Sequence, residues 1–176
     1  VALVGFNAFS TTQDTNDTLA EQRELLIEER RASVRDIVQM ATTAIAPIYA
    51  EAGANDREAK ARAAEILRAM RFEGENYIFV YEFDGTNVVL PLSPAREGTN
   101  LNDLQAPDGT YIVRDFISVG QGGGGFYEYP WEYPGTNEPE PKHSYIDQLE
   151  KWGWIVGAGV YMTDVDDAVA ELEAAA

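Results

Sequence analysis

The sequence contains no cysteine and a single histidine, His143. The first absence excludes disulfide bonds and thiolate metal sites, and the second excludes a zinc site built from several histidines. No apolar run approaches the roughly 18 to 20 residues that a membrane-spanning helix needs. We therefore predict a domain that holds neither a metal ion nor a cofactor.

Positive charge is also scarce. The net charge is −17, and residues 71–176 contain 19 acids but only 5 bases. Such a surface repels phosphate backbones and anionic bilayers, so nucleic-acid binding is not expected. The sequence also lacks a set of nucleophile, base and orienting group, because it has no cysteine, one histidine and no Gly-x-Ser-x-Gly. We predict that the protein is not an enzyme.

What is present fits one α+β domain over residues 1–176, which are 45% hydrophobic. Apolar residues spaced by three and four predict a long helix over about 12–52, kinked or interrupted at Pro47. Shorter helices are predicted over about 56–70, capped by Asn55 or Asp56, and over about 164–174. A half-charged helix of about 40 residues is longer than the domain requires, which favours a homodimer formed through it.

Between the helices, a period of two predicts a five-stranded, mostly antiparallel sheet over about 76–162. Its strands are expected at 77–83, 88–90, 125–135, 143–149 and 153–161, with Asp84-Gly85 turning the first hairpin. Glycines in the last strand allow another group to approach it closely. We expect a short helix over 110–119 to lie across one face of the sheet and the long helix to cover the other.

The strand at 125–135 places four aromatic residues on one side: Tyr127, Tyr129, Trp131 and Tyr133. Large rings with polar rims suit a pocket for a small organic molecule. The simpler interpretation is a sheet face packed beneath a helix, because aromatic residues are usually part of a core.

A buried carboxylate ligand would need a cationic partner, and few are available. Lys142 is the first candidate, the alternative being a salt bridge to Glu138 or Glu140. Arg71 is the second, the alternative being a charge at the end of the preceding helix. His143 is predicted to be a surface histidine rather than a pH-sensitive ligand contact.

Several short motifs follow one another along the chain in a recognisable order. They are Tyr77 to Tyr81, Asp84-Gly85, Leu90-Pro91, Gly98, Pro107-Asp108-Gly109, Gly122 to Gly125, Tyr129-Pro130-Trp131, Pro134-Gly135, Pro141-Lys142-His143-Ser144-Tyr145 and Trp152 to Tyr161. With them the chain resembles, from about residue 20 to its end, the single Cache family of extracytoplasmic sensor domains. This family is common in bacterial methyl-accepting chemotaxis proteins and occurs in some histidine kinases.

The resemblance implies a PAS-like sheet behind a long N-terminal helix, in an extracytoplasmic (periplasmic) domain flanked by transmembrane helices. It also implies a pocket for a short carboxylate of two to four carbons, such as acetate, propionate or pyruvate, whose binding is signalled across the membrane. The ligand-binding roles carry over to Tyr129, Trp131, Lys142 and Tyr145, and further to Tyr77 and Tyr81.

Two positions depart from the family pattern. Leu90 stands where the family has a histidine, and Tyr133 stands where it has a lysine. Both changes remove a donor or a charge, so an amine or quaternary ammonium ligand is an alternative. A spacer without a ligand is another alternative. In strict alternation Lys142 and Tyr145 face opposite sides, so we expect one of them to precede the regular strand.

Overall fold

The computed structural model describes the backbone of residues 3–175 and the side chains of residues 17–175. Four helices are present in this part of the chain: α1 (Leu3–Glu51), α2 (Arg57–Ala69), α3 (Ile112–Gln121) and α4 (Met162–Ala175). The strands are β1 (Arg71–Phe72), β2 (Asn76–Glu82), β3 (Asn87–Val89), β4 (Gly125–Glu132), β5 (Pro139–Leu149) and β6 (Trp154–Tyr161). The α+β fold predicted from the sequence is confirmed.

Helix α1 is longer than predicted, because it begins at Leu3 instead of near residue 12. It is also continuous through Pro47, so the expected interruption is absent. Proline removes one backbone hydrogen bond, but burial on either side holds the helix together. Val38, Ala41 and Ile45 are fully buried on the stripe that faces the sheet.

The other helices lie close to their predicted positions. Asp56 caps α2, with its side chain accepting a hydrogen bond from the backbone N–H of Ala59 at 2.9 Å. Helix α3 lies over the sheet as expected, and α4 begins at Met162, slightly before the predicted start. None of the helices in the described residues combines the length and hydropathy required to cross a bilayer.

The sheet is antiparallel in every pairing, with the order β1-β2-β6-β5-β4 and β3 also paired to β2. The strand that was not predicted, β1, has two residues and is too short to show a period. Strand β5 begins at Pro139, earlier than expected, because residues 139–142 pair with β4. Lys142 therefore lies inside the regular strand, opposite Tyr129.

The two faces of the sheet are covered by different helices. The helix face packs against α1 and α2, and its strand residues are Ile78, Val80, Val89, Trp154, Val156, Ala158 and Val160. The aromatic face packs against α3, and its strand residues are Tyr77, Phe79, Tyr81, Tyr129, Trp131, Ile146, Ile155 and Tyr161. The alternation of side chains along the strands sorts the core in this way.

Candidate functional site

Strand β4 presents its aromatic residues to one side of the sheet, as the sequence predicts. Tyr127, Tyr129 and Trp131 all join the aromatic face. Helix α3 covers them, and the ring of Phe116 meets the ring of Tyr129 edge-on at 4.8 Å. Tyr129 is 4% exposed and Trp131 is 8% exposed. A helix therefore packs on these rings, as the simpler interpretation expects.

A cationic side chain is enclosed within the same face. Lys142 is 0% exposed, and its Nζ has no hydrogen-bond or ion-pair partner among the described residues. The Nζ lies 4.3 Å from the ring centre of Tyr77, 5.0 Å from that of Tyr161 and 5.9 Å from that of Phe79. Burial away from water lowers the pKa of Lys142 from 10.5 to about 7. A lysine without a partner can pair with an anion when it is protonated.

Hydrogen bonds fix the phenols and the indole around this ammonium group. Trp131 Nε1 donates to Tyr77 Oη at 3.1 Å, and Tyr129 Oη and Ser144 Oγ share a hydrogen bond of 2.9 Å. Burial raises the pKa of Tyr77 to about 12 and raises the pKa of Tyr129 well above its usual value. Both phenols are therefore neutral near pH 7, and they can serve as hydrogen-bond donors.

Glycines in β6 make room for the side chains of the site. A Cβ on Gly159 would lie 2.1 Å from Ser144 Oγ and 2.8 Å from Lys142 Cε. A Cβ on Gly157 would lie 2.4 Å from the ring of Phe79. The predicted close approach to this strand is thus confirmed, and the approaching groups belong to the site itself.

A cavity of about 180 Å³ opens beside Trp131. Ala106 and Ile112 line it on the side of α3, and Arg96 and Glu132 form an ion pair of 2.7 Å at its edge. Pockets for drug-sized molecules occupy about 300–1,000 Å³, so this volume suits a smaller guest. Trp131 lines this cavity and also donates a hydrogen bond to Tyr77, whose ring centre lies 4.3 Å from Lys142 Nζ.

The remaining predicted site residues are placed less favourably. Tyr145 packs on the helix face, with its ring 5.1 Å from the ring of Phe126, so it does not reach Lys142. The strict alternation of β5 explains this correction, because both residues lie inside the strand. Tyr81 is buried on the aromatic face, and its Oη has no hydrogen-bond partner in the described residues.

Arg71 and Lys142 differ in whether their structural alternatives, a helix cap and a salt bridge, are found. Arg71 is exposed and donates to the backbone carbonyls of Arg68 and Met70, so it caps the end of α2. A salt bridge from Lys142 to Glu138 or to Glu140 is absent from the described residues. Arg71 thus has a structural role, and Lys142 is the basic residue buried on the aromatic face.

His143 is not the surface residue that the sequence suggests, because it is only 8% exposed beneath α1. Its Nδ1 accepts a hydrogen bond from Arg31 Nε at 3.3 Å, and its Nε2 lies 2.8 Å from Glu128 Oε2. The pKa of His143 is lowered, mainly because the imidazole is buried. The residue links β4 and β5 to α1 on the face opposite Lys142.

The two departures from the family pattern have different environments. Leu90 is 2% exposed within the core of the aromatic face. Tyr133 follows β4, and its Oη donates to Asp164 Oδ1 at 2.7 Å. Together with Tyr161, Tyr133 also lines a second cavity of about 340 Å³, where Arg30 and Glu73 form an ion pair. Leu90 therefore adds an apolar side chain to the core of the aromatic face, whereas Tyr133 contacts α4 and packs with its ring centre 4.9 Å from that of Tyr161.

Sequence reasoning did not assign three residues that surround Lys142: Phe79, Ser144 and Tyr161. Phe79 alternates with Tyr77 and Tyr81, so the period of β2 already placed it on this face. Tyr161 ends the glycine-rich motif of β6, and its Oη donates to the carbonyl of Glu132 at 2.6 Å. Ser144 shares its face with Lys142 only because β5 starts early, which the sequence did not indicate.

A family model described as Single Cache domain 2 matches residues 26–174. Among curated proteins, the sensor histidine kinase MctS of Rhizobium johnstonii is 33% identical over 168 residues, which are 94% of this chain. The chain spans 36% of the length of that kinase. The match thus covers nearly all of this chain and about a third of its relative.

Solved structures agree in fold. A methyl-accepting chemotaxis protein from Vibrio parahaemolyticus superposes with a TM-score of 0.75 and 35% identity, over 84% of this chain and 99% of that one. A Cache chemosensory domain, whose structure is described as the basis for carboxylic acid recognition, gives a TM-score of 0.70 with 29% identity. That match covers 78% of this chain and 97% of the other.

Proposed function

The chain belongs to the Single Cache domain 2 family of sensor domains, and from this premise we propose that it senses a small monocarboxylate of two to four carbons. The observation that carries the proposal is the unpaired Lys142 ammonium, fully buried on the aromatic face. A buried anion needs a charged or multiply hydrogen-bonded partner, and Lys142 supplies the charge. The similar Cache domain described for carboxylic acid recognition supports the same ligand class.

The surroundings of Lys142 favour a ligand with one carboxylate and a short apolar tail. Lys142 is the only cation among the buried residues that the structure describes. A second carboxylate would therefore remain unpaired, which is costly away from water. Leu90, Phe79 and Trp131 offer the tail an apolar contact. The cavity of about 180 Å³ beside Trp131 adds room for it.

The alternative amine or quaternary ammonium ligand fits this face less well. Aromatic rings attract cations, but the rings of Tyr77 and Tyr161 already surround the Lys142 Nζ at 4.3 and 5.0 Å. The protonated form of Lys142 would repel a second cation there and would attract an anion. The enclosure thus favours an anion.

The proposal extends to the protein that contains this domain. We expect an extracytoplasmic domain between transmembrane helices of a chemotaxis receptor or sensor histidine kinase, as the relatives suggest. At 1.5 Å per residue, the 49 residues of α1 extend about 74 Å. Leu25 is 70% exposed on α1, which supports a homodimer through this helix. Ligand binding would then shift the sheet against α1 and pass the change toward the membrane.

Thermal unfolding in the presence of acetate, propionate, pyruvate or betaine tests the ligand class. We expect at least one of the carboxylates to raise the Tm of the domain and betaine to leave it unchanged. Lys142→Met should abolish the rise, because the carboxylate loses its charged partner. Trp131→Ala should abolish it as well.

Lys151→Met is the matched control, because Lys151 contacts Tyr49 of α1, which packs on the helix face, and the change should leave the ligand effect intact. A Tm rise that persists in both Lys142→Met and Trp131→Ala would reject this site. A rise with betaine alone would support the amine alternative.

A further inference from the structure

The surroundings of Lys142 affect its protonation state in the ligand-free protein. Its Nζ meets ring faces of Tyr77, Phe79 and Tyr161, and no described carboxylate forms an ion pair with it. Ring faces offset only a small part of the hydration that an ammonium group loses on burial. The enclosure therefore favours the neutral amine in the free protein.

The titratable groups around Lys142 come from every strand that packs against it. Tyr77 faces it from β2, Tyr129 from β4 and Tyr161 from β6. Burial raises the pKa of each of these phenols, so none of them gains or loses a proton between pH 6 and 8.

Charged groups on the neighbouring elements already have other partners. Glu132 pairs with Arg96, Asp164 accepts from Tyr133, and Asp115 of α3 accepts from Tyr127. His143 is adjacent in sequence but lies on the helix face with Glu128 and Arg31. Within the enclosure, Lys142 is thus the group whose protonation changes near neutral pH.

We infer that this site takes up a proton when it binds a carboxylate, and that the proton resides on Lys142 Nζ beside the bound anion. The inference rests on the proposed function. In the free protein the buried amine is largely neutral above pH 7, because burial lowers its pKa to about 7. In the complex the carboxylate supplies the missing negative charge and favours the ammonium form.

Binding and protonation are therefore linked. With a pKa of about 7 in the free site, roughly nine-tenths of Lys142 is protonated at pH 6 and roughly one-tenth at pH 8. Since the anion binds the protonated form, affinity should fall about tenfold from pH 6 to pH 8. A sensor of this kind responds to a short-chain acid more strongly in acidic surroundings.

Calorimetry with propionate measures the proton directly. Titrations at pH 6 and pH 8 are run in phosphate and in Tris, which differ in ionisation enthalpy. The number of protons taken up per propionate follows from the difference in heat between the two buffers. We expect about 0.9 proton at pH 8 and about 0.1 at pH 6. Equal heats in both buffers, with the same affinity at both pH values, would overturn the inference while leaving the carboxylate site in place.

Magnetic resonance of the lysine Cε groups tests the free protein without any ligand. The chain has three lysines, so the Cε signal of Lys142 is assigned by comparison with the Lys142→Met variant. This signal should titrate near pH 7. A Lys142 signal that shows no titration near pH 7 would overturn the inference. Absence of any propionate binding would instead reject propionate as a ligand and, with it, the coupling.

A variant separates the amine from the rest of the site. Lys142→Arg keeps a cation that stays protonated throughout this pH range. Propionate binding to it should show no buffer-dependent heat and no tenfold change with pH. A persistent change would place the proton on another group. If the larger guanidinium prevents folding beside Gly159, the calorimetry of the natural protein decides.

Discussion

The two faces of the sheet each bury a basic side chain, but only one of these side chains has hydrogen-bond partners within the described part of the chain. Lys142 and His143 are neighbours on β5, and each is less than a tenth exposed. On the helix face, both nitrogens of His143 have partners, Arg31 and Glu128. On the aromatic face, the Nζ of Lys142 has none among the described residues. A satisfied polar group holds two elements together, whereas an unsatisfied one leaves binding energy for a ligand.

A second contrast concerns the cost of leaving a group unpaired. Trp154 Nε1, on the helix face, also has no hydrogen-bond partner in the described residues. An unpaired neutral N–H costs about 1–3 kcal/mol, and a buried unpaired charge costs more. The unpaired group on the helix face therefore has a modest free-energy cost. The unpaired Lys142 on the aromatic face has a larger cost, and an anion bound beside it would remove that cost.

The largest expected effect comes from removing the unpaired amine. Lys142→Met should raise the free energy of unfolding of the ligand-free protein by about 2–4 kcal/mol at pH 7. The pKa of Lys142 is lower in the folded protein than in the unfolded chain, so the unfolded chain binds the extra proton between about pH 7 and 10.5. Stability of the natural protein thus falls as pH drops through this window, and the variant should not show that fall.

Urea unfolding at pH 7 and pH 10 measures this effect. The gain of Lys142→Met over the natural protein should be larger at pH 7 than at pH 10, because the penalty of the buried amine grows as pH falls from about 10.5 to about 7. Lys151→Met, which removes a lysine near Tyr49, is the control and should show no such pH-dependent gain. A loss of stability in Lys142→Met at pH 7 would mean that the lysine has an undetected partner.

Sequence reasoning was most successful where a period was visible. The alternation of β2 and β4 predicted which aromatic residues share a face, and the glycines of β6 predicted a close approach. It failed at the start of β5, which was predicted at residue 143 and lies at Pro139. In the structure these residues pair with the edge strand β4, and this pairing puts Lys142 inside the strand and Tyr145 on the other face.

Contacts between distant segments were out of reach of any local pattern. Arg31 and His143 are 112 positions apart, and nothing in either segment indicates that they meet. The unpaired amine of Lys142 on β5 likewise depends on distant segments, since Tyr77 and Phe79 belong to β2 and Tyr161 belongs to β6. The residue types of the site were predictable, but its missing partner was not.

The next largest effect should follow from filling the space above β6. Gly159→Ala would place a Cβ 2.1 Å from Ser144 Oγ and 2.8 Å from the carbonyl oxygen of His143. The backbone must shift, so we expect a loss of about 1–3 kcal/mol in unfolding free energy. The shift also displaces Lys142, so carboxylate binding should weaken at least tenfold.

Gly125→Ala is the matched control for this substitution. Gly125 is also a strand glycine, and a Cβ there would lie 3.7 Å from Val119 Cγ1, an ordinary contact. Chemical denaturation and propionate titration of both variants should separate them, with Gly125→Ala close to the natural protein. Similar losses in both would show that the strands, and not the enclosure of Lys142, are sensitive to the change.

The smallest expected effect is on the helix face, and it appears as a dependence on pH. Burial lowers the pKa of His143 below its usual value, so the unfolded chain binds a proton more readily than the folded protein as pH falls below about 6.5. The natural protein should therefore lose stability through this residue on acidification. His143→Gln, which keeps a polar group but does not titrate, should cost about 1 kcal/mol at pH 7 and lose less between pH 7 and 5.5.

Thermal unfolding of both proteins across this range isolates the histidine, since their carboxylates are shared. Lys142→Met is the second comparison and should follow the natural protein between pH 6.5 and 5.5, because its own window lies higher. If the natural protein instead gains stability relative to His143→Gln as pH falls, the carboxylate of Glu128 outweighs burial, and His143 is a charged partner. The two faces would then differ by an ion pair on one side and an unpaired amine on the other.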